Sequence, residues 1–109
     1  MLRFFEAAEF EFLRTRGVTY ASMDQYSFPR VHVECDYKGM VRVDDLLSIR
    51  VSVELGGRSS FSYCFTAFLD DKEVATGKIT VVCLLKETMR PNALPEHFTR
   101  CIMMVDDTP

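Results

Sequence analysis

The first seventeen residues constrain the fold most strongly, because they predict a helix that is apolar around most of its surface. The segment from Met1 to Gly17 reads MLRFFEAAEFEFLRTRG. At about 100° per residue, its apolar side chains cover roughly two-thirds of the circumference, far more than the stripe of an ordinary surface helix. Such a helix has to be wrapped by other elements, most economically by a curved sheet. Gly17 is predicted to end it.

Two carboxylates interrupt this apolar surface. Glu6 and Glu9 lie within the apolar arc, whereas Arg3, Glu11 and Arg14 share the narrow polar strip. Because Glu6 and Glu9 are three residues apart, they are neighbours on one face of the helix.

The rest of the chain is dominated by alternation of apolar and polar residues, which is typical of half-buried antiparallel strands. In the first such segment, Arg30 and His32 belong to the polar side and Val31 and Val33 to the apolar side. Turns are expected at Gly56-Gly57 and at the Asp70-Asp71 pair. The predicted strands are 30–38, 46–55, 58–69 and 73–85.

Shorter elements are expected between and after these strands. The segment 18–29 is predicted to be a loop with a helical turn, and LPEHF, at 94–98, to form one helical turn. The tail, 103–109, is expected to be loosely held.

The order of elements, a helix followed by four strands in a meander, predicts an α+β domain of two layers. We expect residues 1–109 to form one domain, since this length suits a single core. Four short strands do not cover so apolar a helix completely. The sequence therefore suggests either a missing fifth strand or a partner subunit.

Composition excludes several classes of protein. A net charge of -3 argues against binding to a nucleic-acid backbone, and no apolar run is long enough to span a membrane. The four cysteines are widely spaced without a CxxC pair, so we expect reduced thiols in the core and a cytoplasmic location. The two histidines, His32 and His97, have no cysteine or carboxylate at ligand spacing, and no metal site is predicted.

Three segments at the right spacing resemble the hotdog-fold acyl-CoA thioesterases, in particular the 4-hydroxybenzoyl-CoA thioesterase-like group. These are LRFFEAAEFEFLRTRGVTY (2–20), VRVDDLLSIRVSVELGGRSSF (41–61) and EVATGKITVVCL (73–84). The resemblance implies a long central helix wrapped by an antiparallel sheet. It also implies a homodimer or homotetramer with active sites at the subunit interface.

The resemblance further implies how the reaction would proceed. In this family a strand and a loop with a catalytic Asp precede the helix, and backbone N–H groups at the helix N-terminus polarise the thioester carbonyl. The present sequence starts within the helix, so we expect the strand and that Asp to be absent from it. Family members commonly carry an acid at the position of Glu6, whereas the position of Glu9 is more often basic.

Glu6 and Glu9 are therefore the candidate catalytic residues. In one interpretation, a carboxylate in an apolar pocket acts as general base or nucleophile on the thioester. In the other, Glu6 is paired with an Arg or with backbone groups of the sheet, and Glu9 is paired likewise at the subunit interface. The sequence leaves both interpretations open.

Arg58, Ser59 and Ser60 are the candidate contacts for coenzyme A. They follow Gly56-Gly57, and basic residues near this hairpin meet the nucleotide phosphates in the similar thioesterases. An arginine beside glycines and hydroxyls suits a phosphate, because guanidinium and free backbone N–H groups both donate to it. The alternative is an ordinary exposed arginine at the start of a strand.

The expected function is thus hydrolysis of an acyl- or aroyl-CoA thioester, with coenzyme A present only as part of the substrate and no other cofactor. A non-catalytic hotdog module that binds acyl-CoA, or serves only in assembly, is the alternative. A dehydratase of this fold would need a histidine on or just before the helix, which the sequence does not have.

Overall fold

The computed structural model of the chain describes residues 2–42 and 44–103. The prediction for the tail lies outside the described residues from 104 onward. The elements, in chain order, are α1 (Leu2–Thr15), the 3-10 turn η1 (Tyr20–Ser22), β1 (Tyr26–Ser27), β2 (Arg30–Tyr37), β3 (Ser48–Leu55), β4 (Ser60–Leu69), β5 (Lys72–Val82), β6 (Leu84–Leu85), β7 (Arg90–Pro91) and α2 (Glu96–Ile102).

Helix α1 ends where its sequence predicts. Gly17 has a φ of 75°, its N–H donates to the carbonyl of Arg14 at 3.1 Å, and the N–H of Val18 donates to the carbonyl of Leu13 at 3.1 Å. These two bonds form a Schellman motif, which requires a residue in the left-handed region and therefore favours glycine. The motif turns the chain back towards the sheet.

The main sheet has the strand order β2-β5-β4-β3, and each neighbouring pair is antiparallel. The predicted α+β hotdog fold is confirmed, but the predicted four-strand meander is wrong: only β3, β4 and β5 form one. Strand β2 pairs with β5, because the long connection after Tyr37 carries the chain to the opposite edge of the sheet.

The hairpin between β4 and β5 turns at Asp70-Asp71, as predicted. Both residues have positive φ angles, 50° and 67°, and this combination is found in the type I′ turns that match the twist of antiparallel strands.

The last predicted strand, 73–85, is not continuous. Strand β5 ends at Val82, and Leu84–Leu85 instead pairs with Tyr26–Ser27 in a small second sheet of order β1-β6-β7. The apolar run is unbroken in sequence, so nothing in its pattern indicates that the chain changes sheets at Cys83. The predicted helical turn at 94–98 is a longer helix, α2.

One face of the sheet packs against α1 and forms an aromatic core. The apolar residues predicted on this face of β4, from Phe61 to Ala67, are all buried. Phe5 of α1 stacks on Phe65 with ring centroids 4.8 Å apart, and Phe98 of α2 packs on Phe61 at 5.4 Å. The four cysteines carry free thiols, and Cys83 and Cys101 are buried.

Strand β2 is less covered than its half-buried pattern predicts. Val31, Val33 and Tyr37 are 59%, 43% and 61% exposed, and β2 is an edge strand, paired on one side only, to β5.

Candidate functional site

A β-bulge at the start of β2 determines which residues meet α1. Arg30 pairs with Val81 and His32 with Thr80, so two steps along β2 match one step along β5. Arg30 therefore shares the face of the buried Val81, opposite to His32. The predicted position of Arg30 on the outer, polar side of the strand is wrong for this reason.

Glu9 is the buried acceptor that Arg30 meets. Its side chain has no exposed surface, and the Nη2 atom of Arg30 donates to both carboxylate oxygens at 2.9 Å. The hydroxyl of Tyr20 donates to Oε2 at 2.9 Å. Glu9 thus has the cation partner that our second interpretation proposed, here supplied by β2 of the same chain.

A second tyrosine extends this network into the sheet. The hydroxyls of Tyr20 and Tyr63 are 2.7 Å apart. Because the carboxylate of Glu9 can only accept, the proton of Tyr20 is directed towards it, and the hydroxyl of Tyr63 must donate to the oxygen of Tyr20. Burial is the main reason that the pKa of each tyrosine is well above its ordinary value, and the negative charge of Glu9 raises both further.

The guanidinium of Arg30 lies between the core and the solvent, with 32% of its side chain exposed. Partial burial lowers its pKa, but the charge and hydrogen bonds of Glu9 more than compensate, so the pKa of Arg30 is raised. The charge of Glu6 also raises the pKa of Arg30. Glu6 is half-buried and lies on the same flank of α1, because it precedes Glu9 by three residues, about one helical turn.

The two predicted acids thus have different surroundings. Glu9 is enclosed and fully hydrogen-bonded, whereas Glu6 is half-buried and its carboxylate has no hydrogen-bond partner among residues 2–42 and 44–103. A catalytic role for either acid stays a prediction.

The predicted contacts for coenzyme A lie in the turn between β3 and β4. Arg58 is exposed, while its carbonyl accepts from the N–H of Leu94 at 3.0 Å and that of Ser59 from the N–H of Cys83 at 2.7 Å. The hydroxyl of Ser60 accepts from the N–H of Gly57 at 3.0 Å. Ser60 thus stabilises the turn, and the guanidinium of Arg58 lies at its surface; their role towards coenzyme A stays a prediction.

The histidines lie away from this network. His32 is on the outer face of the sheet, 3.3 Å from the carboxylate of Glu34, and His97 of α2 is 3.7 Å from the thiol of Cys101. Within 2–42 and 44–103, no group of three or more potential ligands is arranged to hold a metal ion. No helix of the same residues has the length and apolar character needed to span a membrane.

Sequence reasoning missed Tyr20, Arg30 and Tyr63 as members of the site. A carboxylate predicted inside an apolar arc needs a cation or several donors when buried, and this is the signal that a partner exists. The chain contains 13 Lys and Arg residues, and no spacing distinguishes Arg30 among them, because the bulge that turns it inwards depends on pairing with β5.

Tyr63, which is buried, and Tyr20, which is partly buried, predict a loss of stability in alkali. Both have an ordinary pKa of 10.0, so above about pH 10 the unfolded chain releases protons that the folded chain retains. The free energy of unfolding is then expected to fall by about 1.4 kcal/mol per pH unit for each tyrosine, and to be insensitive to them below pH 10. Urea unfolding from pH 8.5 to 11.5 measures this slope. Tyr63→Phe should reduce the slope, and an unchanged slope would contradict the assignment.

The sequence of the chain is similar to those of known proteins. The family model of the Thioesterase-like superfamily matches residues 1–102. A curated protein of Aquifex aeolicus (strain VF5), named "Putative esterase", is 31% identical over 86 residues, which are 77% of this chain. The chain spans 66% of the length of that relative.

Solved structures of the same fold are more distant in sequence. A 1,4-dihydroxy-2-naphthoyl-CoA thioesterase from Synechocystis superimposes with a TM-score of 0.88 at 17% identity, over 99% of this chain and 82% of its own. A DHNA-CoA thioesterase from Staphylococcus aureus superimposes with a TM-score of 0.76 at 22% identity, over 85% of this chain and 64% of its own. At these identities the likeness shows the fold alone.

Proposed function

Because the chain belongs to the thioesterase-like superfamily, we propose that it hydrolyses the thioester of an acyl- or aroyl-coenzyme A to a free acid and coenzyme A. The observation that carries the proposal is the flank of α1, where the half-buried Glu6 lies one helical turn before the buried Glu9 that holds the guanidinium of Arg30. A general base and a fixed cation at one place are what hydrolysis of a thioester requires.

In this proposal the two acids have separate roles. Glu6 activates the attacking water, since its side chain is only half-buried. Glu9 acts as a positioning residue, because its oxygens are occupied by Arg30 and Tyr20. The exposed Arg58 contacts the phosphates of coenzyme A from the turn between β3 and β4.

Hydroxylated aroyl-CoA thioesters are the first substrates to test. The Synechocystis structure is that of a 1,4-dihydroxy-2-naphthoyl-CoA thioesterase, and another structure of this fold is that of a gentisyl-coenzyme A thioesterase. The panel should add short aliphatic acyl-CoA thioesters. Free coenzyme A is best detected by mass spectrometry, because the four cysteines would react with a thiol dye.

Glu6→Gln is expected to lower kcat by about 10²- to 10⁴-fold, the usual contribution of a general base, without changing the thermal midpoint of unfolding. Glu11→Gln is the matched control, because Glu11 lies on the exposed side of the same helix in an ion pair with Arg14. It should leave kcat unchanged. Wild-type turnover by Glu6→Gln would refute the role of Glu6.

We further propose a homodimer that pairs through β2. The apolar side chains Val31, Val33 and Tyr37 are exposed along this edge, whereas on the other edge strand, β3, only Leu55 at its end is exposed and the other apolar residues are half-buried. An active site at this edge would then be completed by the second subunit, and two dimers could associate into a tetramer. The free thiols favour a reducing compartment such as the cytoplasm.

The dimer can be tested by light scattering. Val33→Lys is expected to shift the mass from dimer to monomer, because a charge on an edge strand opposes pairing. Ser52→Lys, on the outer face of β3, should leave the mass unchanged. A wild-type monomer at high micromolar concentration, or a Val33→Lys dimer, would contradict pairing through β2.

A non-catalytic module that binds acyl-CoA is the second candidate, and the hydrogen bonding of Glu9 favours it. One of the two candidate acids is neutralised by Arg30 within the chain, which suits a binding site as well as a catalytic one. Binding of acyl-CoA without turnover across the panel would support this candidate over hydrolysis.

A further inference from the structure

Arg30 has hydrogen-bonding capacity that Glu9 does not use. Both of its bonds to the carboxylate come from one nitrogen, Nη2. A guanidinium carries five N–H donors, so the donors on Nη1 and Nε are left without a partner among residues 2–42 and 44–103. A third of the side chain is exposed, at 32%, which allows a ligand to reach these donors.

The orientation of this guanidinium is set before any substrate binds. The bulge between Arg30 and His32 directs it to the inner face of the sheet, and the fully buried Glu9 holds it through two bonds of 2.9 Å. Glu9 is held in turn by Tyr20, and Tyr20 by Tyr63. Donors fixed in this way need little reorganisation when charge develops beside them, which is the arrangement that stabilises an oxyanion.

Glu6 is the acid that would act on the same thioester as these donors of Arg30. Glu6 precedes Glu9 by one helical turn on the same flank of α1, and its charge acts on Arg30. We propose that Arg30 is a catalytic residue whose free N–H groups donate to the thioester carbonyl oxygen and stabilise the oxyanion formed there. This inference rests on the proposed thioesterase function and adds a charged donor to the backbone N–H groups that the family resemblance implies.

The reaction then proceeds in two steps. Glu6 accepts a proton from water as the water oxygen bonds to the carbonyl carbon, and the C=O π electrons become the oxyanion that Arg30 holds. On collapse the C–S bond breaks, the electron pair leaves with the coenzyme A sulfur, and Glu6 returns the proton to that sulfur. The products are the carboxylic acid and coenzyme A, without any further reactant.

Arg30→Lys tests the proposal, because lysine keeps a positive charge beside Glu9 but lacks the second and third donor nitrogens. We expect kcat to fall about 10²- to 10³-fold, as when an oxyanion donor is removed, and KM to change by less than about threefold. A thioether analogue of the substrate has no carbonyl oxygen, so its Kd, measured by calorimetry, should be unchanged. Arg14→Lys, in an exposed ion pair on the polar side of α1, is the control and should match wild type.

A second pair of variants covers the case in which Arg30→Lys does not fold. Glu9→Gln can be compared with the double variant Glu9→Gln/Arg30→Gln, in which a neutral pair replaces the charged one. Because the amide oxygen of Gln still accepts from Arg30, Glu9→Gln keeps part of the positioning, and the double variant should have a clearly lower kcat than Glu9→Gln. Equal kcat values for these two variants, or a kcat of Arg30→Lys within threefold of wild type, would overturn the role of Arg30.

The experiments distinguish a wrong role for Arg30 from a wrong proposed function. If wild type hydrolyses acyl-CoA and Glu6→Gln does not, while Arg30→Lys keeps full kcat, the thioesterase function stands and the role of Arg30 falls. If wild type hydrolyses no thioester of the panel, the proposed function and the role of Arg30 fall together.

Discussion

Arg30→Met is expected to lower the free energy of unfolding by about 3 kcal/mol. The substitution keeps most of the side-chain volume but leaves the carboxylate of Glu9, with no exposed surface, without its cation. Breaking a buried ion pair from one side costs about 3–5 kcal/mol, and we expect the lower end because the exposed part of Arg30 lets water approach. Urea unfolding at pH 7 and a fixed protein concentration measures the effect.

A double-mutant cycle separates the ion pair from the other contacts of Arg30. In Glu9→Met/Arg30→Met both charges are absent, so the double variant should be more stable than Arg30→Met alone, although Tyr20 loses its acceptor. Arg14→Met removes the ion pair between Arg14 and Glu11, whose side chains are 70% and 59% exposed, and should have little effect on stability, because solvent screens exposed pairs. If Arg30→Met lowers the free energy of unfolding as little as Arg14→Met does, the buried carboxylate of Glu9 does not depend on Arg30 for its stabilisation.

Gly77→Ala is expected to be the second large effect, also about 3 kcal/mol and at the upper end of the cost of overpacking a core. A Cβ on Gly77 would lie 2.8 Å from Cδ2 and 3.1 Å from Cζ of Phe5, and closer still to Cε2. Phe5 is fully buried and stacked on Phe65, so its ring cannot move away. Helix α1 itself would have to shift from the sheet.

The control for this substitution is Gly57→Ala, because a Cβ at Gly57 meets no atom within 4 Å. Its free energy of unfolding should stay within about 0.5 kcal/mol of wild type. A smaller side chain at position 5 should relieve the crowding, so Phe5→Leu is expected to destabilise the Gly77→Ala background less than it destabilises wild type. Additive effects of the two substitutions would contradict direct contact as the cause.

Predictions that depend on residues close together in the sequence were mostly correct, whereas the predicted four-strand meander, which depends on contacts between distant segments, was wrong. Alternation is a local property of an extended chain, so the inward face of β4 from Phe61 to Ala67 could be predicted and is buried. The end of α1 at Gly17 is equally local, since the motif spans six residues. The neighbour of β2 is a choice between distant strands, and the pattern of 30–38 suits either edge of the sheet.

The predictions for the candidate site also separate into local features, which the sequence indicates, and tertiary contacts, which it does not. The helical pattern was sufficient to place Glu6 and Glu9 among apolar residues, because the angle between residues of a helix is fixed by its hydrogen bonds. It could not predict that Glu9 is enclosed while Glu6 is half-buried, since that depends on where the sheet ends above the helix. The sequence also could not identify Arg30 as the partner of Glu9, because a bulge turns the side chain of Arg30 from the outer to the inner face of the sheet.

The sequence by itself determined helix α1 and its end, the alternating segments of the main strands, the inward face of β4 and the resemblance to the thioesterase family, because these follow from periodicity and from residues close together along the chain. Only the tertiary structure decided the strand order β2-β5-β4-β3, the inward turn of Arg30 and the network from Tyr63 through Tyr20 to Glu9. These depend on contacts between segments far apart in sequence. The free energies of these contacts depend on packing and burial between segments, so they cannot be predicted from any one segment alone.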